Sequence, residues 1–255
     1  MRIATWNVNS LKARLPKVTE WLSRRQVDVL LLQETKLADE AAPELAFRLA
    51  GYQLAHHGEG RWNGVAIASR VGLAAVEPGL AEGADPDGAR FLAARCGGVQ
   101  VASVYAPNGR AVGSEFWQAK LLWFGRLRAW LGARDPGEPL LLGGDFNVAP
   151  TDLDVWDPAA FAGATHVTAE ERAAFDALLE WGLVDVYRQH HPEGGRFSWW
   201  DYRGGAFHKG QGMRIDHLLV TRPLAERATA AEIDRDARKN PIPSDHAPVL
   251  VDLAD

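Results

Sequence analysis

The sequence predicts an α/β (α+β) protein in which two packed β-sheets carry helices on their outer faces. Three observations predict it. Short apolar runs rich in Val, Leu and Ile recur along the chain, helical periodicity is confined to a few segments, and no linker or low-complexity block divides the 255 residues. Hydrophobic residues make up 47% of the chain, enough to fill a large core, so residues 1–255 are read as one domain.

The predicted strands are Ile3–Val8, Val27–Leu32, Gly64–Ser69, Val99–Tyr105, Leu140–Gly144, Ile215–Thr221 and Pro248–Leu253. Their length and β-branched content set them apart from helices. One helix is expected from Pro16 to Arg25. A second starts at Ser114 and repeats Trp117, Leu121, Phe124, Leu127 and Leu131 at helical spacing. A third opens on the capping pair Thr168 and Glu171 and carries Ala174, Leu178 and Trp181 on one side.

Polar residues mark the ends of these runs. Asn7 and Asn9 close the first strand two residues apart, which puts them on one face. Glu34 follows an apolar run, and Asp145 and Asn147 follow Leu140–Gly144 with the same spacing. Asp216 opens one strand, and Asp245 and His246 precede the last. In a mixed sheet with antiparallel neighbours, such ends meet at one edge. The result is a rigid site assembled from several strands.

Composition bounds the setting. The lone cysteine, Cys96, cannot form an internal disulfide and sits in an apolar stretch as a buried hydrophobe, which suits a reducing compartment. The N-terminus lacks the apolar core of a signal peptide, and no window is long enough to span a bilayer. The expected location is the cytoplasm, at the nucleoid, with no membrane partner. A net charge of −5 argues against nucleic acid as a partner. Local basic clusters remain at Lys12, Arg14 and Lys17, at Arg24 and Arg25, at Arg203, Lys209 and Arg214, and at Arg235, Arg238 and Lys239. Each reads either as solvated surface or as part of a basic face.

Carboxylate and amide oxygens without cysteine favour Mg²⁺, with Mn²⁺ as a substitute, over Zn²⁺. Beside a phosphodiester, such a metal polarises the phosphorus centre and stabilises the leaving alkoxide. Asp beside His supplies a pair in which the carboxylate orients the imidazole. The chemistry indicated is in-line attack of water on phosphorus. Taken singly, each group reads equally well as a turn, cap or surface residue.

Six segments occur in order: Trp6-Asn7-Val8-Asn9-Ser10-Leu11, Leu32-Gln33-Glu34-Thr35-Lys36, Tyr105-Ala106-Pro107-Asn108-Gly109, Gly144-Asp145-Phe146-Asn147, Arg214-Ile215-Asp216-His217 and Ser244-Asp245-His246-Ala247-Pro248-Val249. Together they resemble the exonuclease III family of apurinic/apyrimidinic (AP) endonucleases, in the endonuclease/exonuclease/phosphatase superfamily. The resemblance runs from Trp6 to Val249. It implies a DNase I-like, four-layer sandwich of two mixed β-sheets flanked by helices.

It also implies roles. Glu34 would be the principal Mg²⁺ ligand, and Asn7 would support the metal and Asp145. Asp145 would hold and deprotonate the attacking water, with Asn147 helping to position it and the phosphate, and both would count among the metal-site residues. Asp245 would be a metal or metal-water ligand. Tyr105 and Asn108 would contact the target phosphate. His246, oriented by Asp216, would hydrogen-bond the phosphoryl oxygens. Asn9 stands where some relatives carry an acid; with asparagine there the chain follows the bacterial-type pattern, which the resemblance sets against a second metal site.

The same core serves DNase I-like nucleases, inositol-phosphate phosphatases and sphingomyelinases, so other residues must choose. The resemblance makes Trp199, Met213 and Ile215 the wall of an apolar pocket for a sugar that has lost its base. Trp200 and Tyr202 read equally as pocket or core. Arg61 is read as a phosphate contact, and Trp62 either as a minor-groove wedge or as a hydrophobic staple. Lys12, Lys17 and Arg110 are further phosphate contacts. His56, His57, His190 and His191 lack metal-type partners, and the acidic run Asp152–Asp157 lacks the glycine and distal Glu of a calcium loop. The expectation is a monomeric DNA-repair hydrolase that cleaves 5′ to abasic sites in duplex DNA. With it the resemblance implies 3′→5′ exonuclease, 3′-phosphodiesterase and 3′-phosphatase activities on blocked 3′ ends. A phosphodiesterase for small or lipid phosphates, and a catalytically silent DNA-binding module, are the alternatives.

Overall fold

The computed structural model describes residues 1–80, 87–239 and 241–254. Its strands are β1 (Arg2–Asn7), β2 (Val29–Gln33), β3 (Gln53–His57), β4 (Val65–Ser69), β5 (Ala74–Pro78), β6 (Phe91–Cys96) and β7 (Val99–Tyr105). They continue with β8 (Leu140–Asp145), β9 (Leu183–Asp185), β10 (Trp199–Trp200), β11 (Gly212–Met213), β12 (Asp216–Thr221), β13 (Ala228–Ile233) and β14 (Val249–Leu253). The α-helices are α1 (Leu11–Arg25), α2 (Glu44–Leu49), α3 (Glu115–Gly132), α4 (Ala169–Glu180), α5 (Val186–His190), α6 (Ala206–Lys209) and α7 (Arg222–Ala225).

Two six-stranded mixed sheets form, in the orders β13-β14-β1-β2-β4-β3 and β5-β6-β7-β8-β12-β9, beside a two-stranded β10-β11 ribbon. Each large sheet has one parallel pair, β1 with β2 and β7 with β8. Alternation along the strands builds the layers. Ile3, Val29, Leu31 and Ile67 of one sheet meet Val101, Leu141, Leu218 and Val220 of the other. The opposite faces, Ala4, Trp6, Leu30 and Leu32, pack under Val18, Trp21 and Leu22 of α1. On the second sheet Ala102, Val104, Leu142 and Leu219 pack under α3 and α4. The expected four-layer sandwich is therefore present.

Seven strands fall on the predicted runs within two residues at either end. The others were not predicted. Helix α1 begins five residues earlier than expected, capped by Ser10, and takes Pro16 inside it. The α3 stripe is rotated from the expected one: Lys120, Trp123, Phe124, Leu127 and Leu131 are buried, while Trp117 and Leu121 are only partly so. Helix α4 carries the predicted capping box, with Thr168 and Glu171 exchanging bonds.

Three arginines of the basic clusters lie inside the fold rather than on its surface: Arg14, Arg214 and Arg238. Arg214 pairs with Asp154 and Asp185, each at 2.7 Å. This pairing also absorbs the Asp152–Asp157 run, since Asp154 is fully buried against Arg214 and Arg188. Among the described residues no helix is long and apolar enough to cross a membrane.

Candidate active site

Strand register brings the marked residues to one end of the sandwich. Asn7 pairs with Gln33 across β1 and β2, so Glu34 emerges beside it. Asp145 pairs with both Tyr105 and Asp216. Gly143 and Gly144 make that placement feasible. A Cβ on Gly144 would lie 1.8 Å from the Val104 carbonyl oxygen, and one on Gly143 2.6 Å from Leu31 Cδ1 of the opposite sheet. The β10-β11 ribbon docks on the segment before β14, where Ala247 N donates to Ser198 O at 2.7 Å and Trp200 N to Asp245 O at 3.0 Å.

Glu34, Asp145 and His246 each offer one ligand atom, and these atoms lie within 4.8 Å of one another. Asn7 Nδ2 donates to Glu34 Oε1 and to Asp145 Oδ2, both at 2.9 Å. Asn147 N donates to Asp145 Oδ1 at 3.0 Å. His246 Nδ1 meets Asp216 at 2.8 Å, and its Nε2 lies 3.7 Å from Asp145 Oδ2. Ser198 fixes Asp216, donating to Oδ2 at 2.6 Å, while Ser244 Oγ donates to Asn7 O at 2.7 Å. The backbone is held in costly conformations here. Asn9, Glu34, Lys36, Asn147 and His166 all have positive φ, between 43° and 79°.

Electrostatics follow from crowding buried acids around one cleft. Burial, opposed by the charge of His246 and reinforced by Asp216, raises the Asp145 carboxyl to about 7. Burial also disfavours charge on His246, but Asp216 and Asp145 outweigh it and raise the imidazole to about 10. Burial, and then the neighbouring Glu34 charge, raises the Tyr105 phenol well above its ordinary value. For Asp245, burial is outweighed by His246 and by bonds from Trp199 and Asn9, which hold the carboxyl below its usual range.

Oxygen-rich donors without cysteine fit a hard divalent ion, and Glu34 and Asp145, bridged by Asn7, are the residues that would hold it. Asp245 lines the same cavity but is engaged differently. It is not one of the three converging groups, and both its oxygens accept N–H bonds, from Asn9 Nδ2 at 3.0 Å and Trp199 Nε1 at 3.1 Å. Asn147 spends its side chain on positioning, donating to Ala106 O at 2.9 Å and accepting from Asn108 at 3.3 Å.

A cavity of about 170 Å³ is lined by these groups with Tyr105, Asn108, His166, Trp199 and Ile215. Met213 lies behind it, packed with Ile215, Ala149 and Val155. The cleft continues through Tyr105 and Asn108 into a groove of about 350 Å³ that Trp62, Arg110 and Phe116 line. Trp62 is 66% exposed, with the Arg61 guanidinium over its ring, and Arg110 stacks on Phe116 at 3.7 Å. Trp200 is buried, whereas Tyr202 is half exposed and donates to Pro243 O. Lys12 is exposed on α1 and lines neither space.

Sequence reasoning assigned no role to His166, Lys36 or Lys120. His166 Nδ1 lies 2.5 Å from Asn147 O, and its Nε2 lies 3.5 Å from Asn108 Nδ2. Burial, and then the charge of Lys120, lowers its pKa to about 4. Lys120 donates to Asn147 O at 2.7 Å and to Glu171 at 2.5 Å from behind the site. Only Lys36 carried a signal, its place in the Glu34 segment.

Comparison with known proteins agrees with this geometry. Residues 4–246 match the family model described as the endonuclease/exonuclease/phosphatase family. The exodeoxyribonuclease III of Haemophilus influenzae is 33% identical, over 99% of this chain and 100% of that protein. An AP endonuclease structure from Archaeoglobus fulgidus superposes with a TM-score of 0.97 at 36% identity, covering both chains fully. So does NExo, a 3′ phosphatase from Neisseria solved with a product DNA hairpin, at 39% identity and a TM-score of 0.97.

Proposed function

The chain belongs to the endonuclease/exonuclease/phosphatase family and is a DNA-repair nuclease of the exodeoxyribonuclease III and AP endonuclease type, and on that premise we propose that it is a Mg²⁺-dependent, monomeric, single-domain enzyme acting chiefly at blocked 3′ ends of duplex DNA. The observation that carries this preference is the His166 imidazole in the wall of the catalytic cavity. The recess holds about 170 Å³ before it opens through Tyr105 and Asn108 into the groove of about 350 Å³. A terminal phosphate needs little room, while an extruded sugar needs a recess beside the phosphate. His166 occupies the wall on which such a recess would draw, its ring held against Asn147 O. The 3′ phosphatase among the structural relatives supports the same choice.

The residues divide the work as follows. A bound Mg²⁺ supplies polarisation of the phosphoryl oxygens and stabilisation of the leaving oxygen. Asp145, raised to about 7, accepts a proton from the water that attacks phosphorus. His246, kept charged by Asp216, donates from Nε2 to a phosphoryl oxygen. Tyr105 and Asn108 at the mouth orient the phosphate, and the bond from phosphorus to the 3′ oxygen breaks, that oxygen taking a proton from solvent to leave a 3′-hydroxyl. The groove carrying Trp62 and Arg110, with Arg61 and Lys12 outside it, suits the duplex, and the working location is the nucleoid.

A second reading, incision 5′ to an internal abasic site, is favoured by one observation. Trp199 and Ile215 do line the cavity, with Met213 behind them, and an abasic nucleotide is the cheapest to extrude. Two duplexes decide between them, one nicked with a 3′-phosphate and one with an internal abasic site, each with Mg²⁺ and with EDTA. Faster EDTA-sensitive release of phosphate from the first is expected. Equal or faster nicking of the second overturns the 3′-end preference, and no EDTA-sensitive turnover of either sinks the nuclease reading.

A further inference from the structure

His56 shows no metal-type partner in the sequence, yet the fold places it in a relay of three side chains that ends beside Glu34. Its Nε2 lies 2.8 Å from Thr35 Oγ1, and its Nδ1 lies 2.8 Å from Asp39 Oδ1. The same Asp39 oxygen accepts from Gly58 N at 2.7 Å. The imidazole and Thr35 are buried, while Asp39 reaches the surface. Two glycines leave room for the relay. A Cβ on Gly64 would lie 2.1 Å from Thr35 Oγ1, and one on Gly58 2.3 Å from His56 Cε1.

The direction of each bond follows from what its groups can do. A carboxylate only accepts, so the ring carries a proton on Nδ1. Burial lowers the His56 pKa and Asp39 opposes it only in part, which keeps the ring neutral at pH 7. Nε2 is then an acceptor, and the Thr35 hydroxyl donates to it. Thr35 follows Glu34 directly, and its backbone is engaged as well. Its N donates to Gly64 O at 3.1 Å, and its O accepts from Leu11 N at 3.0 Å. On either side of it Glu34 and Lys36 sit at φ values of 51° and 53°. Residues held in such conformations persist only where their surroundings over-determine them.

We propose that His56 is a positioning residue of the active site: held by Asp39, it accepts the Thr35 hydroxyl and so fixes the turn that aims the Glu34 carboxylate into the cleft. The inference rests on the metal-nuclease reading and deepens it. Neither His56, Thr35 nor Asp39 lines the catalytic cavity, so the relay acts on the chemistry through the backbone at Thr35. It ties that turn to β3, which carries His56, and through Asp39 to the short helical turn Asp39–Ala41.

Steady-state rates of the full chain across a Mg²⁺ series, on the faster of the two duplexes above, test this. His56→Ala and Thr35→Val are expected to raise the half-activating Mg²⁺ concentration about tenfold or more, with KM for DNA unchanged. Thr35→Ser keeps the hydroxyl and stays near wild type. Asp39→Ala, at the exposed end of the relay, moves the Mg²⁺ requirement in the same direction and replaces His56→Ala should that one fail to fold. Nitrogen NMR of the imidazoles, without metal or DNA, reads the relay itself: the wild-type His56 ring carries its proton on Nδ1 alone at pH 7. A lowered Tm with the Mg²⁺ requirement unmoved, Thr35→Ser falling with Thr35→Val, or a proton on Nε2 overturns the proposal alone. No EDTA-sensitive turnover in the wild type overturns it together with the metal-nuclease reading.

Discussion

Asn7 joins Glu34 to Asp145 through one amide nitrogen, which donates at 2.9 Å to a carboxylate oxygen of each. Two carboxylates brought this close repel unless a donor or a cation sits between them. The amide does so before any ion arrives, and its oxygen accepts the Asn9 N–H. Asn7→Ala is therefore expected to lower kcat/KM about 10- to 100-fold and to raise the Mg²⁺ concentration needed for half activity. Steady-state rates on a 3′-phosphate duplex across a Mg²⁺ series measure both. An unchanged Mg²⁺ requirement would count against the bridge.

His246 and Asp216 set the alkaline limit of activity. The imidazole titrates at about 10, because Asp216 and Asp145 overcome the cost of burying its charge. A raised histidine pKa means that the fold favours the protonated ring. That stabilisation is complete below the ordinary value of about 6.5 and is lost as pH rises through about 10. Asp216→Asn removes the larger of the two favourable charges. It should cost about 10²- to 10⁴-fold in kcat and move the alkaline limb to lower pH. A pH-rate profile with the limb unmoved would separate His246 from the chemistry.

How much of this was legible in the sequence depended on locality. Asn7, Glu34, Asp145, Asp216 and His246 each end or open an apolar run, so a local pattern marked them. Strand β5 could not be read that way, because all five of its residues are exposed and lack alternation. Strands β10 and β11 are two residues each and exist only by pairing with each other. Buried charge was invisible for the same reason. Lys120 finds Glu171 at a separation of 51 residues, and Arg214 finds Asp154 at 60. His166 gave no signal, because what matters is the carbonyl of Asn147 against its ring.

The Lys120–Glu171 pair is fully buried, so breaking it should be felt in stability before activity. Burial opposes the Glu171 charge, but Lys120 outweighs it and holds the carboxyl at about 2. A depressed acid pKa stabilises the fold above the unfolded value of about 4.3, and the contribution is lost as pH falls toward about 2. Glu171→Gln leaves the buried ammonium of Lys120 without its counter-charge. At neutral pH the expected cost is about 3–5 kcal/mol, a Tm drop on the order of 10 °C, and the gap from wild type narrows below about pH 4. Thermal unfolding across pH follows it. A gap that widens in acid would reverse the assignment.

His166 makes the sharpest prediction about substrate. Its ring is pinned to Asn147 and lies in the cavity wall with Trp199 and Ile215. Serine in its place removes the ring and keeps a polar side chain, widening the recess that His166 lines with Trp199 and Ile215. Incision at an internal abasic site should then rise by about tenfold or more relative to 3′-phosphate release, the scale on which a pocket discriminates by size. Stability gives an independent reading of the same residue. The ring is held neutral down to about 4, whereas the unfolded chain takes up its proton from about 6.5 downward. Wild type therefore loses stability between those two pH values, and His166→Ser should lose less. If the substrate ratio stays fixed while the acid stability shifts as described, the ring is a packing residue and the 3′-end preference must come from the groove that carries Trp62 and Arg110.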